Sequence, residues 1–141
     1  MKHYFIFEAP LDLDLLGIDR VLVNRKTGVA TTVEFKNDSR AADTGRAYIE
    51  IRGNVEFNTD GWIHSCKAQK ILIAVPPTGQ IFICDTAKMR AKLPAWLKEY
   101  GTRQAFNLRY KSEGVCVPLS VLATLADAVV VVKPQDQHTA A

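Results

Sequence analysis

The sequence predicts a mixed α/β (α+β) domain, with one mixed central β-sheet flanked by helices. Two β-hairpins and one capped helix carry that expectation. Residues 19–25 (DRVLVNR) and 29–36 (VATTVEFK) are rich in β-branched side chains, and the Lys26-Thr27-Gly28 turn puts glycine where positive φ is needed. Residues 70–75 and 80–84 repeat the pattern around Pro76-Pro77-Thr78-Gly79. Asp85 is an N-cap for a helix running to about Leu93; Pro94 starts a second helical turn through Tyr100, ended by Gly101.

The other elements follow in chain order. Residues 2–8 (KHYFIFE) suit a first strand or a short buried helix, because so short a run has no decisive periodicity. Pro10 breaks the chain before the amphipathic stretch Leu11 to Gly17. Asn37 to Gly45 is polar and loop-like, Ala47 to Ile51 suits a strand or a helix start, and Asn58-Thr59-Asp60-Gly61 is a turn signal. Strands near 105–110 and 114–117, a helix near 118–126 and a strand at 128–132 close a domain of residues 1–132. Residues 133–141 (KPQDQHTAA) read as a flexible tail.

Composition sets the class. The chain has 141 residues, 48% of them hydrophobic, enough for a single buried core. Its longest purely apolar run, Ala128 to Val132, falls far short of the ~20 residues of a membrane span, and the apolar N-terminal run stops at Glu8, too early for a secretory signal. Cys66, Cys84 and Cys116 are odd in number and lack CxxC spacing, which argues against disulfides and structural zinc and for a cytoplasmic setting. The net charge of +3 is mild, but its distribution is uneven. Asp12, Asp14 and Asp19 crowd the start, while Lys88, Arg90, Lys92, Lys98, Arg103, Arg109 and Lys111 meet only Glu99 over residues 86–111. An acidic pocket beside a basic flank suits an enzyme holding a cation and a phosphate backbone; a solvated basic surface is the plainer alternative.

The candidate chemistry sits on the first hairpin. Side chains alternate along a strand, so Glu34 and Lys36 share one face, roughly 6–7 Å apart, while Val33 and Phe35 point to the other and can enter a core. Asp19 opens the partner strand and can lie beside Glu34. Two carboxylates and a backbone carbonyl suffice for Mg²⁺, which takes oxygen ligands and retains water. Such an ion polarises a phosphodiester and activates a water, and a neighbouring lysine can orient that water and stabilise developing charge. A D/E-x-K tripeptide alone is uninformative; its position at a strand end, paired to a strand opening with Asp, gives it weight. A plain surface ion pair between Glu34 and Lys36 is the competing reading.

Here the residues resemble a known pattern. Gly17-Ile18-Asp19 with Val33-Glu34-Phe35-Lys36-Asn37-Asp38 is similar to the core motif of PD-(D/E)XK nucleases, and Thr44-Gly45-Arg46-Ala47-Tyr48-Ile49-Glu50 to a segment of small phage-encoded members. The resemblance covers roughly residues 17–75. It implies a restriction-endonuclease-like core, Mg²⁺ or Mn²⁺ as cofactor, and DNA, possibly branched, as partner in the cytoplasm of a host cell. It implies catalytic roles for Asp19, Glu34, Lys36 and Glu50, with metal held by Asp19, Glu34 and the Phe35 carbonyl. Ile18 replaces the motif's proline, and Arg46 stands where asparagine is expected. Glu8 is a candidate upstream acid.

Three alternatives stay open: a homodimeric junction resolvase of the same superfamily, a non-catalytic nucleic-acid-binding or host-interaction protein on this fold, and an unrelated α/β interaction protein. His3, His64 and His138 lack metal-ligand spacing, and Ser65-Cys66 beside His64 has no orienting third group. Trp62, Trp96 and Tyr100 read as core or rim packing.

Overall fold

A computed structural model of the protein describes residues 3–133. In chain order the elements are β1 (Tyr4–Glu8), α1 (Leu11–Asp14), β2 (Arg20–Asn24), β3 (Ala30–Asn37), α2 (Ala41–Thr44), β4 (Arg46–Asn54), β5 (Thr59–Asp60) and α3 (Trp62–Ser65). There follow β6 (Lys70–Val75), β7 (Gln80–Asp85), α4 (Thr86–Tyr100), β8 (Arg103–Phe106), β9 (Lys111–Pro118), α5 (Leu119–Leu125) and β10 (Ala128–Val131). No described helix is long and apolar enough to cross a membrane. The tail expected at 133–141 lies, apart from Lys133, outside the described residues.

The first hairpin forms for local reasons. Asn24 Oδ1 accepts the Lys26 and Thr27 N–H groups at 2.9 and 3.1 Å, and Gly28 takes φ +70° to turn the chain back. β2 then pairs antiparallel with β3, Arg20 opposite Val33. The second hairpin pairs β6 with β7, Ile71 opposite Cys84. Between them, β3 and β6 run parallel, Glu34 opposite Ile71 and Lys36 opposite Ile73. A parallel pair needs a long crossover, and this one contains α2, β4, β5 and α3.

The result is a mixed six-stranded sheet, β1-β2-β3-β6-β7-β10, and a second, antiparallel sheet, β5-β4-β9-β8. The mixed α+β class and the single domain expected from the sequence stand; the second sheet is an addition. One core joins the two sheets: Ile71, Ile73 and Val75 of β6 and Phe82 and Cys84 of β7 cluster with Ala47 and Ile49 of β4 and Val115 and Val117 of β9. Met89, Leu93 and Trp96 of α4, Ile63 of α3 and Leu122 of α5 complete it. The large sheet turns its inner face to this core and its outer face away from it.

The stretch 37–45, expected as loop, holds the end of β3 and the short α2, and two further boundaries differ from expectation. α4 runs unbroken through Pro94, whose ring is exposed while Leu93 and Trp96 on the other side are buried and hold the helix together. The last hairpin turns at Asn107–Tyr110, with the Asn107 N–H on the Tyr110 carbonyl at 2.8 Å, so β8 starts earlier and β9 is longer than read from the sequence.

Candidate active site

The end of β3 assembles the site. Asp19 precedes β2 and donates its N–H to the Val33 carbonyl at 2.8 Å. Its Oδ2 accepts the Phe35 N–H at 2.7 Å. The Asp19 carboxylate also lies close enough to that of Glu34 to act on its titration. The N–H and C=O of one residue in an extended strand point the same way, so the Phe35 carbonyl is directed to this edge too. Asp19 and Glu34 are therefore brought together at the edge toward which the Phe35 carbonyl points.

The facing of β3 is the reverse of the sequence expectation. Glu34 and Lys36 point inward and Val33 and Phe35 outward; Glu34 is 7% exposed, Phe35 37%. The cause lies on β6. Parallel pairing puts Glu34 and Lys36 in the rows of Ile71 and Ile73, which must face the core.

Burial shapes the electrostatics. Lys36 Nζ sits 3.1 Å from Glu34 Oε1, whereas Oε2 is buried with no hydrogen-bond partner among the described residues. Desolvation raises the Glu34 pKa, the Lys36 ammonium opposes it, and nearby Asp19 adds to the rise. Gly17 takes φ +74° beside the Cys66 backbone, where a Cβ would come within 3.0 Å of the Cys66 Cα. The buried Cys66 thiol donates to the Gly17 carbonyl at 3.2 Å, and burial pushes its pKa up.

Glu50 reaches the neighbourhood from β4. It is half-buried; desolvation raises its pKa, while the Trp62 N–H and then Lys36 pull it down. It does not join Asp19 and Glu34 in a three-carboxylate cluster: among the described residues no three His, Cys, Asp or Glu side chains gather around one point. Gly61 allows this approach, since a Cβ there would lie 2.3 Å from the Glu50 carbonyl oxygen. Trp62 is part of the site's wall, its ring 5.7 Å from Lys36 Nζ. Read from sequence it is only a packing residue; its place after the turn glycine was the available signal.

One other sequence candidate, Glu8, falls elsewhere, and the motif's Asp38 has a different task. Glu8 lies in the row of Arg20 and Val33 on the outer face, 3.6 Å from the Arg20 guanidinium, and is no upstream acid for this site. Asp38 of the motif is structural: Oδ1 accepts the Ala41 N–H at 3.1 Å and Oδ2 the Tyr48 N–H at 2.8 Å, tying β3 to α2 and β4.

The basic stretch divides. Arg90 turns inward and donates to the carbonyls of Ile63, His64 and Cys66, capping α3. Lys88 pairs with Asp127 at 3.4 Å. Lys92, Lys98, Arg103, Arg109 and Lys111 are exposed, the last three on the β8–β9 hairpin beside exposed Phe106, Leu108 and Tyr110.

The donor set suits a hard divalent cation. Asp19 Oδ1, the unpartnered Glu34 Oε2 and the Phe35 carbonyl are the oxygens that could hold one, with water filling the remaining positions. No family model, curated protein or solved structure matches the chain.

Proposed function

We propose that this chain is a metal-dependent deoxyribonuclease that hydrolyses phosphodiester bonds with Mg²⁺ or Mn²⁺. The observation that carries the reading is the Glu34 carboxylate: one oxygen on Lys36, the other buried, unpartnered and beside a second carboxylate. A buried carboxylate oxygen without a partner is costly, and a cation shared with Asp19 would relieve that cost.

The roles follow from position. Asp19 Oδ1, Glu34 Oε2 and the Phe35 carbonyl would hold the ion. Bound there, it supplies Lewis acidity toward a phosphate oxygen and lowers the pKa of water. Lys36, kept in place by Glu34 Oε1 and the Trp62 ring, donates a hydrogen bond toward the attacking water or the phosphate oxygens. Glu50, on the Lys36 side, orients Lys36 or accepts a proton from water. Arg103, Arg109 and Lys111 on the β8–β9 hairpin are suited to phosphate contacts, which would make binding fall with salt.

Cleavage of labelled single-stranded, duplex and branched DNA with Mg²⁺ or Mn²⁺, beside Glu34→Ala and Lys36→Ala, tests the proposal. Metal-dependent cutting lost in both variants supports it. No cutting of any substrate, with DNA binding retained, turns the reading to a binding module. A marked preference for branched DNA selects the resolvase.

A further inference from the structure

The tip of the β8–β9 hairpin sets exposed aromatic side chains among cations. Phe106 is 75% exposed, Tyr110 46%, and Leu108 between them is fully exposed. An apolar cluster held out in water marks a contact site. Phe106 and Tyr110 also line an open cavity of about 470 Å³, a size that takes a small organic group. Arg109, Lys111 and the amides Gln104 and Asn107 share the lining, with Val55 and Glu56 from the β4–β5 connection. The Val55 N–H donates to the Lys111 carbonyl at 2.8 Å and ties that connection to the hairpin. Lys111 stands opposite Phe106 in the strand pair, its Nζ 4.9 Å from the ring centroid. The exposure of that ring leaves it open to a second, stacked partner.

We propose that this tip is a stacking site for the unpaired bases of a single-stranded DNA segment, with Phe106 and Tyr110 as its platform. The inference rests on the nuclease reading for DNA as the partner, and deepens it by naming the form of DNA that is held. Charge favours this occupant. Arg103, Arg109 and Lys111 have no ion pair among the described residues, and Glu56 is the one acid of the lining, so the tip carries the sign that attracts a phosphate backbone. Aromatic planes beside such cations hold single strands with little regard to sequence, because every base has a π-face. Bases in a duplex keep those faces stacked on one another. Gln104 and Asn107 bring donors and acceptors suited to base edges. The hairpin is also joined to the candidate active site through the second sheet. Glu50 lies opposite Gly114 and Gly114 opposite Arg103, two strand spacings or about 10 Å.

Fluorescence anisotropy of the full chain with labelled oligonucleotides in EDTA is the test. The probes are a thymidine homopolymer, an abasic deoxyribose-phosphate strand of the same length, and a blunt duplex. The wild type is expected to bind the thymidine strand at least about tenfold more tightly than the abasic one. Phe106→Ala and Tyr110→Ala are each expected to weaken that binding about fivefold or more. Both should leave the abasic strand, the duplex and far-UV circular dichroism unchanged. If an alanine variant does not fold, Phe106→Leu and Tyr110→Leu, which keep apolar bulk and lose the aromatic plane, read the same shift. Equal affinity of the wild type for thymidine and abasic strands overturns the proposal, as does thymidine binding indifferent to the folded variants at both positions. A wild type that binds no oligonucleotide overturns it too, and assigns the tip to a protein partner. Without metal the DNA stays whole, so the two readings fail separately: cleavage without base-dependent binding removes this inference alone, and base-dependent binding without cleavage removes the nuclease alone.

Discussion

Lys36 satisfies one oxygen of Glu34 and leaves the other unsatisfied: Nζ lies 3.1 Å from Oε1, while Oε2 is buried without a partner among the described residues. A buried carboxylate oxygen left this way is costly until some group meets it.

Mn²⁺ is therefore expected to raise the melting temperature of the wild type and leave that of Glu34→Gln unmoved. In metal-free buffer at neutral pH, Glu34→Gln is expected to be more stable than wild type by about 1–2 kcal/mol, because it removes a buried charge. Differential scanning calorimetry with and without Mn²⁺ reads both. A Gln variant stabilised by Mn²⁺ as much as wild type would place the ion elsewhere.

The pH dependence of stability has a definite sign. Burial raises the Glu34 pKa above its ordinary 4.5, and Glu50 shifts the same way for the same reason. The folded chain then holds these protons more tightly than the unfolded one. Their stabilisation is full below the unfolded value and is lost as pH rises through the folded value. Asp85 and Asp127 run oppositely. The Lys88 N–H lowers the first and Lys70 the second, so their contribution is lost as pH falls below 3.8 and through the folded values. Metal-free stability should thus decline from pH 4.5 upward, and Glu34→Gln should flatten the decline. An unchanged slope in that variant would remove Glu34 as its source.

Lys36→Met is expected to cut cleavage by 10²–10⁴, roughly the contribution of a positioned proton-transfer or charge-stabilising group. Mn²⁺ affinity should be retained or strengthened, since the ammonium competes with the cation for Glu34. Calorimetric titration beside a cleavage assay separates the two effects; loss of both would make Lys36 a structural residue.

Arg90 and Arg109 should part company. Arg90→Ala strips α3 of a donor to three carbonyls and is expected to cost about 2–3 kcal/mol of stability. Arg109→Ala should leave stability unchanged, weaken DNA binding and lower the salt slope by about one. Urea melts and binding at several salt concentrations report on each. DNA binding untouched in Arg109→Ala would move the nucleic-acid contact off this hairpin.

Much of this architecture was legible where the signal is local. The β2–β3 and β6–β7 hairpins announce themselves through Gly28 and Gly79, and α4 through its Asp85 cap. Asp19 and Glu34 meet because a hairpin of that length must bring them together. The sense of β3 was not legible. Glu34 and Lys36 look like a solvent face until the parallel strand beside them is known, and a crossover partner leaves no mark in the local sequence. The second sheet was hidden for a similar reason. β4 sits in the crossover, and its Tyr48, Glu50 and Arg52 obscure the core-facing Ala47, Ile49 and Ile51. Trp62 and Arg90 carry their roles only through partners distant in sequence, Trp62 through the Lys36 and Glu50 side chains and Arg90 through the carbonyls of Ile63, His64 and Cys66.

The crossover between β3 and β6 also sets an order of assembly. Asp19 and Phe35 stand sixteen positions apart on one hairpin, a short loop to close, whereas Glu50 and Trp62 arrive only when the whole crossover docks. Loop-closure entropy favours the nearer contact. The carboxylate pair can therefore form in a chain that has not finished folding, and a cation captured at that stage would act as a folding nucleus. Refolding in the presence of Mn²⁺ should then be faster, and that acceleration should vanish with Asp19→Asn.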